Sequence, residues 1–168
     1  MKYTFRANGG GEADRLTTLE ITPEEGGLRL DYFAADSCFY SPFKQDNEPL
    51  YDGCAVELFL AEDGDAQNYT EYEFSPFGLR WKGRITHKNG EREGVLLDTR
   101  GVECLATRTE RDYRVQAFIP TPYTLGVTRF NAFRIERTGA DAPYLLYAAF
   151  PTLCETFHVP RKMQVLKR

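Results

Sequence analysis

Alternation of apolar and polar residues is the main structural signal in this sequence, and it is clearest just before the middle of the chain. Successive side chains of a β-strand point to opposite faces. Residues 54–60 therefore predict a strand whose even-numbered positions are all apolar and whose other face includes Glu57. Residues 69–75 alternate in the same way, with Glu71 and Glu73 on one face. The two strands predict a sheet with one core face and one face on which carboxylates lie beside aromatic rings, a surface suited to a polyhydroxylated ligand.

Further short strand candidates cover most of the chain, and turn-forming residues separate them roughly every 8–12 residues. They lie at residues 3–5, 16–22, 28–32, 34–40, 79–85, 95–98, 102–107, 113–119, 130–137, 144–150 and 163–166. Residues 41–49 contain two prolines and predict a loop. This spacing is typical of an antiparallel two-sheet β-sandwich of the immunoglobulin-like or jelly-roll type. The sequence thus predicts one all-β domain over residues 1–168.

Amino-acid composition and net charge exclude several classes of function for this chain. With 42% hydrophobic and 27% charged residues, the chain is typical of a globular domain, and 168 residues suffice for one core. A formal net charge of -4 gives no basic surface for a nucleic acid. No apolar run has the length of a membrane span, and the first residues lack the apolar region of a signal peptide. We therefore expect a cytoplasmic protein with neither a nucleic-acid nor a membrane partner, or a secreted one if an export signal has been removed.

Cysteines and acidic turns bear on metals and redox state. Cys38, Cys54, Cys104 and Cys154 are far apart and form no C-x-x-C pair, so they predict no zinc site. Reduced thiols are favoured, with disulfides as the alternative. Residues 62–65, Glu-Asp-Gly-Asp, predict a hairpin turn, with a calcium site as the weaker alternative. No cofactor is expected.

Four segments in a fixed order carry a family resemblance. They are YDGCAVELFL at 51–60, YEFSPFG at 72–78, FNAFRI at 130–135 and FHVP at 157–160. Together they resemble the family 9 carbohydrate-binding modules and their DOMON-like relatives, over about residues 16–168 of this chain. The resemblance implies a β-sandwich of two antiparallel sheets, in agreement with the strand pattern.

The same resemblance implies a sugar site. In that family two aromatic side chains, usually tryptophans, hold a terminal sugar while charged residues hydrogen-bond its hydroxyls, and structural calcium is often present. By position, Tyr51 and Phe157 are the expected aromatic clamp, and Glu57 matches a carboxylate that binds hydroxyls. Glu73 stands where the classical sugar binders carry arginine, which reverses the local charge. His158 adjoins Phe157 in the last segment and is a further candidate contact.

Trp81 has two interpretations. As the only tryptophan in the chain, it is a candidate stacking platform for a ligand. Its alternation with Leu79 and Ile85 favours instead a tryptophan that fills the space between the sheets.

Catalysis is not expected. His87 and His158 have no partner at a catalytic spacing. Glu71 and Glu73 lie two apart on one strand face, so one of them is expected to have a raised pKa. Two acids on one strand do not face each other across a cleft, as a glycosidase pair must.

The sequence therefore predicts a non-catalytic β-sandwich that binds a small sugar or a glycan chain end by aromatic clamping. The alternative is a structural or protein-interaction domain that has lost sugar binding, and a glycoside-processing enzyme comes third. The identity of the sugar, the oligomeric state and the presence of calcium stay open.

Overall fold

Two antiparallel sheets form the protein. The computed structural model describes residues 1–36 and 39–167. Its strands are β1 (Lys2–Thr4), β2 (Arg6–Ala7), β3 (Thr17–Glu24), β4 (Gly27–Ala35), β5 (Ala55–Ala61), β6 (Asn68–Phe74), β7 (Arg80–Lys88), β8 (Glu91–Leu96), β9 (Glu103–Arg108), β10 (Asp112–Pro120), β11 (Arg129–Glu136), β12 (Leu145–Ala148) and β13 (Gln164–Val165). Short 3-10 helices lie at Leu50–Asp52 and Pro160–Lys162. The predicted all-β sandwich is confirmed.

The strand order places β5 and β6 at the centre of the second sheet. The first sheet has the order β1-β3-β4-β10-β9, and the second has the order β2-β12-β11-β5-β6-β7-β8, with β13 also paired to β11. The main core lies between the sheets, where apolar residues from both inner faces pack together. Val56, Leu58 and Leu60 of β5 face Leu28 and Leu30 of β4 across this core. The even-numbered face of β5 is therefore the core face, as the alternation predicts.

Within the described ranges, no helix has the length and apolar character to span a bilayer.

Some predicted elements differ from the structure. Strand β3 continues through Pro23 to Glu24, so the turn that follows it is shorter than the sequence suggests. Proline fits there because Pro23 pairs with Leu28 beyond the point where β1 runs alongside β3. The apolar segment 144–150 favours a central strand, but the strand covers only Leu145–Ala148 and lies next to the sheet edge, with the two-residue β2 as its outer neighbour. The strand expected at 95–98 begins earlier, as β8.

The acidic segment after β5 is a turn. Gly64 has a φ of +86°, a conformation that glycine adopts without strain. The Asp63 carboxylate accepts a hydrogen bond from the backbone N–H of Asp65 at 2.9 Å, and Asp65 accepts one from Gln67 at 3.0 Å. The hairpin turn is as predicted, and calcium binding stays a prediction.

Among the described residues, Cys104 and Cys154 are free thiols. Cys104 is half-buried, and Cys154 is exposed. Cys54 lies fully buried just before β5, while Cys38 and the middle of the predicted 34–40 segment lie outside the described residues.

A buried ionic network crosses the core. Arg134 of β11 is fully buried, and its guanidinium donates to Glu136 at 3.0 Å, to Asp36 at 3.2 Å and to Thr17 at 2.9 Å. Arg15 forms ion pairs with Asp36 and Glu136 from the edge. Because every charge in this network has a partner of opposite sign, the core tolerates an arginine between its sheets.

The second sheet also buries part of its outer face, the side turned away from the first sheet. A second apolar cluster lies there, and residues 157–163 cover it. Phe157 and Met163 from this segment pack against Phe59 and Phe133 of the sheet. The rest of the outer face is left uncovered by the segment.

Candidate functional site

A cavity of about 740 Å³ occupies the uncovered part of the outer face. Its volume is within the range of about 300–1,000 Å³ that is usual for small-molecule sites. It is lined by Tyr51, Glu57, Glu71, Glu73, Trp81, Ile85, Arg92, Gly94, Val95, Leu96, Ile135, Tyr144, Leu146, Glu155, Thr156, Phe157 and His158. Strands β5 and β6 form its floor, β7 and β8 one wall, and β11, β12 and the segment at 155–158 the other. The six residues singled out from the sequence all line this one cavity: Tyr51, Glu57, Glu73, Trp81, Phe157 and His158.

Three glutamates form a carboxylate cluster on the cavity floor. Glu57 of β5 pairs directly with Glu73 of β6, and Glu71 lies two residues before Glu73. Each offers an oxygen within 4.8 Å of the other two. Their exposures are only 2%, 5% and 0% for Glu57, Glu71 and Glu73. Like charges directly opposite each other destabilise a sheet, so this arrangement opposes stability when the three groups are ionised.

Burial raises the pKa of all three carboxyl groups. The pKa of Glu71 rises to about 7, although Arg92 opposes the shift. Burial, with the neighbouring Glu71 carboxylate, raises the pKa of Glu57 well above its usual range. Burial, then Glu57 and Glu71, does the same to the pKa of Glu73. The cluster of the free protein therefore retains protons at neutral pH, as predicted for one of the neighbours Glu71 and Glu73.

Glu73 is also short of hydrogen bonds. Neither of its carboxylate oxygens makes a well-aligned hydrogen bond with a described residue. The backbone N–H of Tyr51 and the carboxyl group of Glu71 lie close to it, and the first lowers its pKa while the second raises it. Leaving a buried polar group unpaired costs about 1–3 kcal/mol. A fully buried acid that lines a cavity without a partner therefore marks a place where a ligand would supply the missing bond.

Trp81 lies on the cavity side of the sheet and does not fill the main core, so the core interpretation is wrong. Its indole is half-buried and meets the Tyr51 ring edge-on, with centroids 6.4 Å apart and planes at 85°. Gly83 makes this position available, because a Cβ added there would lie 2.3 Å from Cη2 of Trp81. The period-two pattern placed Trp81 and Ile85 on the same face correctly, but that face is the outer one.

Gly83→Ala is expected to displace the indole, because the new methyl group would overlap it. Trp81 is the only tryptophan, so its fluorescence emission maximum should shift in the variant. Gly94→Ala is the matched control, since a Cβ there would make an ordinary contact of 3.4 Å with Ile85. An unchanged emission maximum in Gly83→Ala would contradict this account of the indole position.

Phe157 and Tyr51 line the same cavity but differ in their surroundings. Phe157 is only 8% exposed, and its ring stacks on Phe133 with centroids 4.2 Å apart. Tyr51 is 45% exposed at the rim. Phe157 thus has little free ring surface, and Tyr51 and Trp81 offer more. The clamp of Tyr51 and Phe157 stays a prediction, with Phe157 better suited to a wall than to a stacking face.

His158 belongs to an aromatic hydrogen-bonded group beside the cluster. Its ring stacks on Phe59 at 5.0 Å, and its Nδ1 lies 2.7 Å from the Tyr69 hydroxyl. The same hydroxyl lies 3.2 Å from Nε2 of His87. Burial lowers the pKa of His158 to about 3. His158 is therefore neutral at physiological pH and serves the site as a hydrogen-bonding ring, not as a cation.

Glu71, Arg92 and Tyr144 are among the lining residues that sequence reasoning did not identify as binding residues. Glu71 was found as the neighbour of Glu73 but not as a binding residue, although it shares the same strand face. Arg92 reaches the cavity because β8 pairs it with His87. Tyr144 lies in a loop, where its hydroxyl donates to Asp52 at 2.8 Å, and no local pattern predicts that position.

The protein is an antiparallel two-sheet sandwich with a cavity on one outer face, and three solved structures resemble it in fold. Among solved structures, a candidate carbohydrate-binding protein from Bacteroides uniformis superposes with a TM-score of 0.76 at 16% identity, over 99% of this chain and 85% of the other. A family 9 carbohydrate-binding module from Caldicellulosiruptor kristjanssonii in complex with glucose gives 0.64 at 14% identity, over 98% and 83%. One from the same organism in complex with cellotriose gives 0.55 at 14% identity, over 88% and 71%. No protein-family model and no curated protein sequence matches the chain.

The chain therefore has the fold of the family 9 carbohydrate-binding modules. The resemblance of the four sequence segments to family 9 modules is confirmed at the level of the fold, and the likeness to DOMON-like proteins stays a prediction. At these identities the comparison fixes the architecture, and the ligand has to be argued from the cavity itself.

Proposed function

We propose that the protein is a non-catalytic carbohydrate-binding domain that holds a small sugar or a glycan chain end in the outer-face cavity. The observation that carries this proposal is the carboxylate cluster next to the open rings of Tyr51 and Trp81. Sugars present hydroxyl donors at their edges and apolar C–H groups on their ring faces. The cavity offers acceptors for the former and aromatic surface for the latter.

The fold comparison supports the same class of ligand. Two of the similar solved structures are family 9 modules bound to glucose and to cellotriose. A β-glucose unit or a short oligosaccharide is therefore the first class of ligand to test.

Five residues of the cavity have distinct parts in this proposal. Glu57 and Glu73 accept hydrogen bonds from sugar hydroxyls, and Tyr51 and Trp81 provide the stacking surface. These two rings meet at 85°, so they form a corner and not a pair of parallel plates. A sugar ring stacked on one of them would meet the edge of the other. Phe157 closes the opposite wall as an apolar surface.

The position of the acids supports binding without catalysis. Glycosidases place two carboxyl groups about 5–5.5 Å or 6.5–9.5 Å apart, on either side of the bond that they cleave. Here the three carboxyl groups lie side by side on one sheet face, since Glu57 and Glu73 are direct cross-strand partners and Glu71 is two residues from Glu73 on the same strand. They can meet one side of a ligand together, which suits recognition better than an acid and base across a glycosidic bond.

Calorimetric titration with glucose, cellobiose and cellotriose tests the proposal. We expect binding, and we expect Tyr51→Ala and Trp81→Ala each to weaken it about tenfold, the loss of one stacking contact. Phe77→Ala is the matched control, because Phe77 is an exposed aromatic residue that does not line the cavity. Absence of binding across a wider panel of mono- and disaccharides would overturn the proposal.

A protein-interaction domain is the second candidate. Four large apolar or aromatic side chains at the cavity are exposed: Tyr51, Val95, Leu96 and Tyr144. Exposed apolar side chains that lie together often mark protein interfaces. A silent sugar titration combined with concentration-dependent self-association that Leu96→Glu abolishes would favour this candidate.

A further inference from the structure

The carboxylate cluster has the dimensions of an ammonium site. Glu57, Glu71 and Glu73 each offer an oxygen within 4.8 Å of the other two. A primary ammonium group has three N–H donors, and charge-assisted bonds of about 2.8 Å along tetrahedral directions place their acceptors about 4.6 Å apart. One oxygen of each carboxyl group lies within 4.8 Å of the other two, so a single ammonium group placed between them can reach all three with its three donors.

The charge of the cavity favours a cation. Its described lining carries four carboxyl groups, the cluster together with Glu155, against the single guanidinium of Arg92. His158, the other basic side chain of the lining, is neutral at physiological pH because burial lowers its pKa. A cavity walled by protein focuses the field of such charges on a bound ligand.

A neutral sugar leaves the cluster incompletely satisfied. Its hydroxyl groups can donate to the buried oxygens, but they bring no positive charge that would let the three groups release the protons that the free cluster holds. Glu73 in particular has no hydrogen bond of good geometry with a described residue. A cation placed between the three groups would pair Glu73 and compensate the charge that remains when those protons are released. Trp81 is paired with Glu73 across β6 and β7, and its ring face would add a cation–π contact.

We propose that Glu57, Glu71 and Glu73 bind the ammonium group of an amino sugar, so that the natural ligand is a saccharide with a free amine. The saccharide part of this inference rests on the proposed function, and the ammonium part rests on the cluster. A divalent metal ion is the competing occupant. It would need several oxygen ligands beyond the three of the cluster, whereas the remaining described lining is mainly apolar or aromatic.

Calorimetric titration with glucosamine, glucose, N-acetylglucosamine and calcium chloride tests the inference. The first three share one ring and differ in charge at a single position. We expect glucosamine to bind at least tenfold more tightly than either neutral sugar. In Glu73→Gln the ratio of the glucosamine and glucose affinities should fall to near one. Glu155→Gln, which removes one charge from the same cavity outside the cluster, should keep most of the ratio.

The outcomes separate the two proposals. Glucose that binds as tightly as glucosamine would overturn the ammonium site and leave the sugar site standing. No binding by any of the three sugars would overturn both. Calcium that binds to the wild-type protein but not to Glu73→Gln, with no preference for the amine, would assign the cluster to a metal. Should Glu73→Gln fail to fold, Glu57→Gln on the neighbouring strand repeats the test.

Discussion

Glu73→Gln is expected to stabilise the ligand-free protein at pH 8 and to have little effect at pH 5. The pKa of Glu71 in the folded protein is raised to about 7, and those of Glu57 and Glu73 are raised well above their usual range. For an acid whose pKa is raised by folding, the stabilisation is complete below the unfolded pKa of about 4.3 and is lost as the pH rises through the folded pKa. Between the unfolded and the folded pKa, each such group lowers the free energy of unfolding by about 1.4 kcal/mol for every unit of rising pH. Glutamine removes one such group and one repulsive charge, so its stabilising effect relative to the wild type grows as the pH rises from 5 to 8.

Urea unfolding between pH 5 and pH 8 measures this effect. The quantity of interest is the difference in unfolding free energy between variant and wild type, because groups common to both cancel. His158 is one such group. Its pKa is lowered to about 3, so its contribution is present above about pH 6.5 and falls with decreasing pH. Stability curves that run parallel for the two proteins would contradict a proton-retaining cluster, and Glu155→Gln serves as the control for a charge at the cavity rim.

Arg134→Met is expected to lower the free energy of unfolding by about 3–5 kcal/mol. Methionine fills much of the same space but leaves Glu136 and Asp36 buried beside each other without their central cation. Arg15 approaches both carboxylates only from the edge of the core. The effect is large because removing one partner of a buried ionic network costs far more than the network contributes relative to an apolar core.

Thermal and urea unfolding at pH 7 test this second prediction, with a fall in Tm of roughly 10 °C expected for a chain of this size. Arg29→Met is the matched control, because Arg29 pairs with Glu24 on the surface, where ion pairs contribute little. A loss in Arg134→Met no greater than in Arg29→Met would show that the core network has no special part in stability.

Local alternation predicted the parts of the fold that follow from a period of two. The faces of residues 54–60 and 69–75 are as expected, and they put Glu57, Glu71 and Glu73 on one surface. That result needs only the geometry of a strand and the assumption that the two neighbouring strands pair. The spacing of strands and turns predicted the sandwich, and the four segments that resemble family 9 modules agreed with it. Those segments also singled out Tyr51 and Phe157, which line the same cavity.

Other features depended on contacts that no local pattern encodes. Alternation showed which residues share a face with Trp81, but this sheet buries apolar side chains on both faces, so the pattern could not tell which face opens to solvent. The burial of Phe157 depends on Phe133, which is distant along the sequence. Tyr144 and Arg92 reach the site through a loop and a strand register, respectively.

The covering segment at 157–163 makes the two sides of the cavity unequal as targets for redesign. Phe157 belongs both to the cavity wall and to the second apolar cluster. A smaller residue at this position would therefore enlarge the cavity and also weaken the fold. Tyr51 and Val95, both well exposed at the other rim, are free of that coupling. A new ligand preference is therefore easier to select by changes around Tyr51 and β8, while the side built on Phe157 will tend to stay as it is.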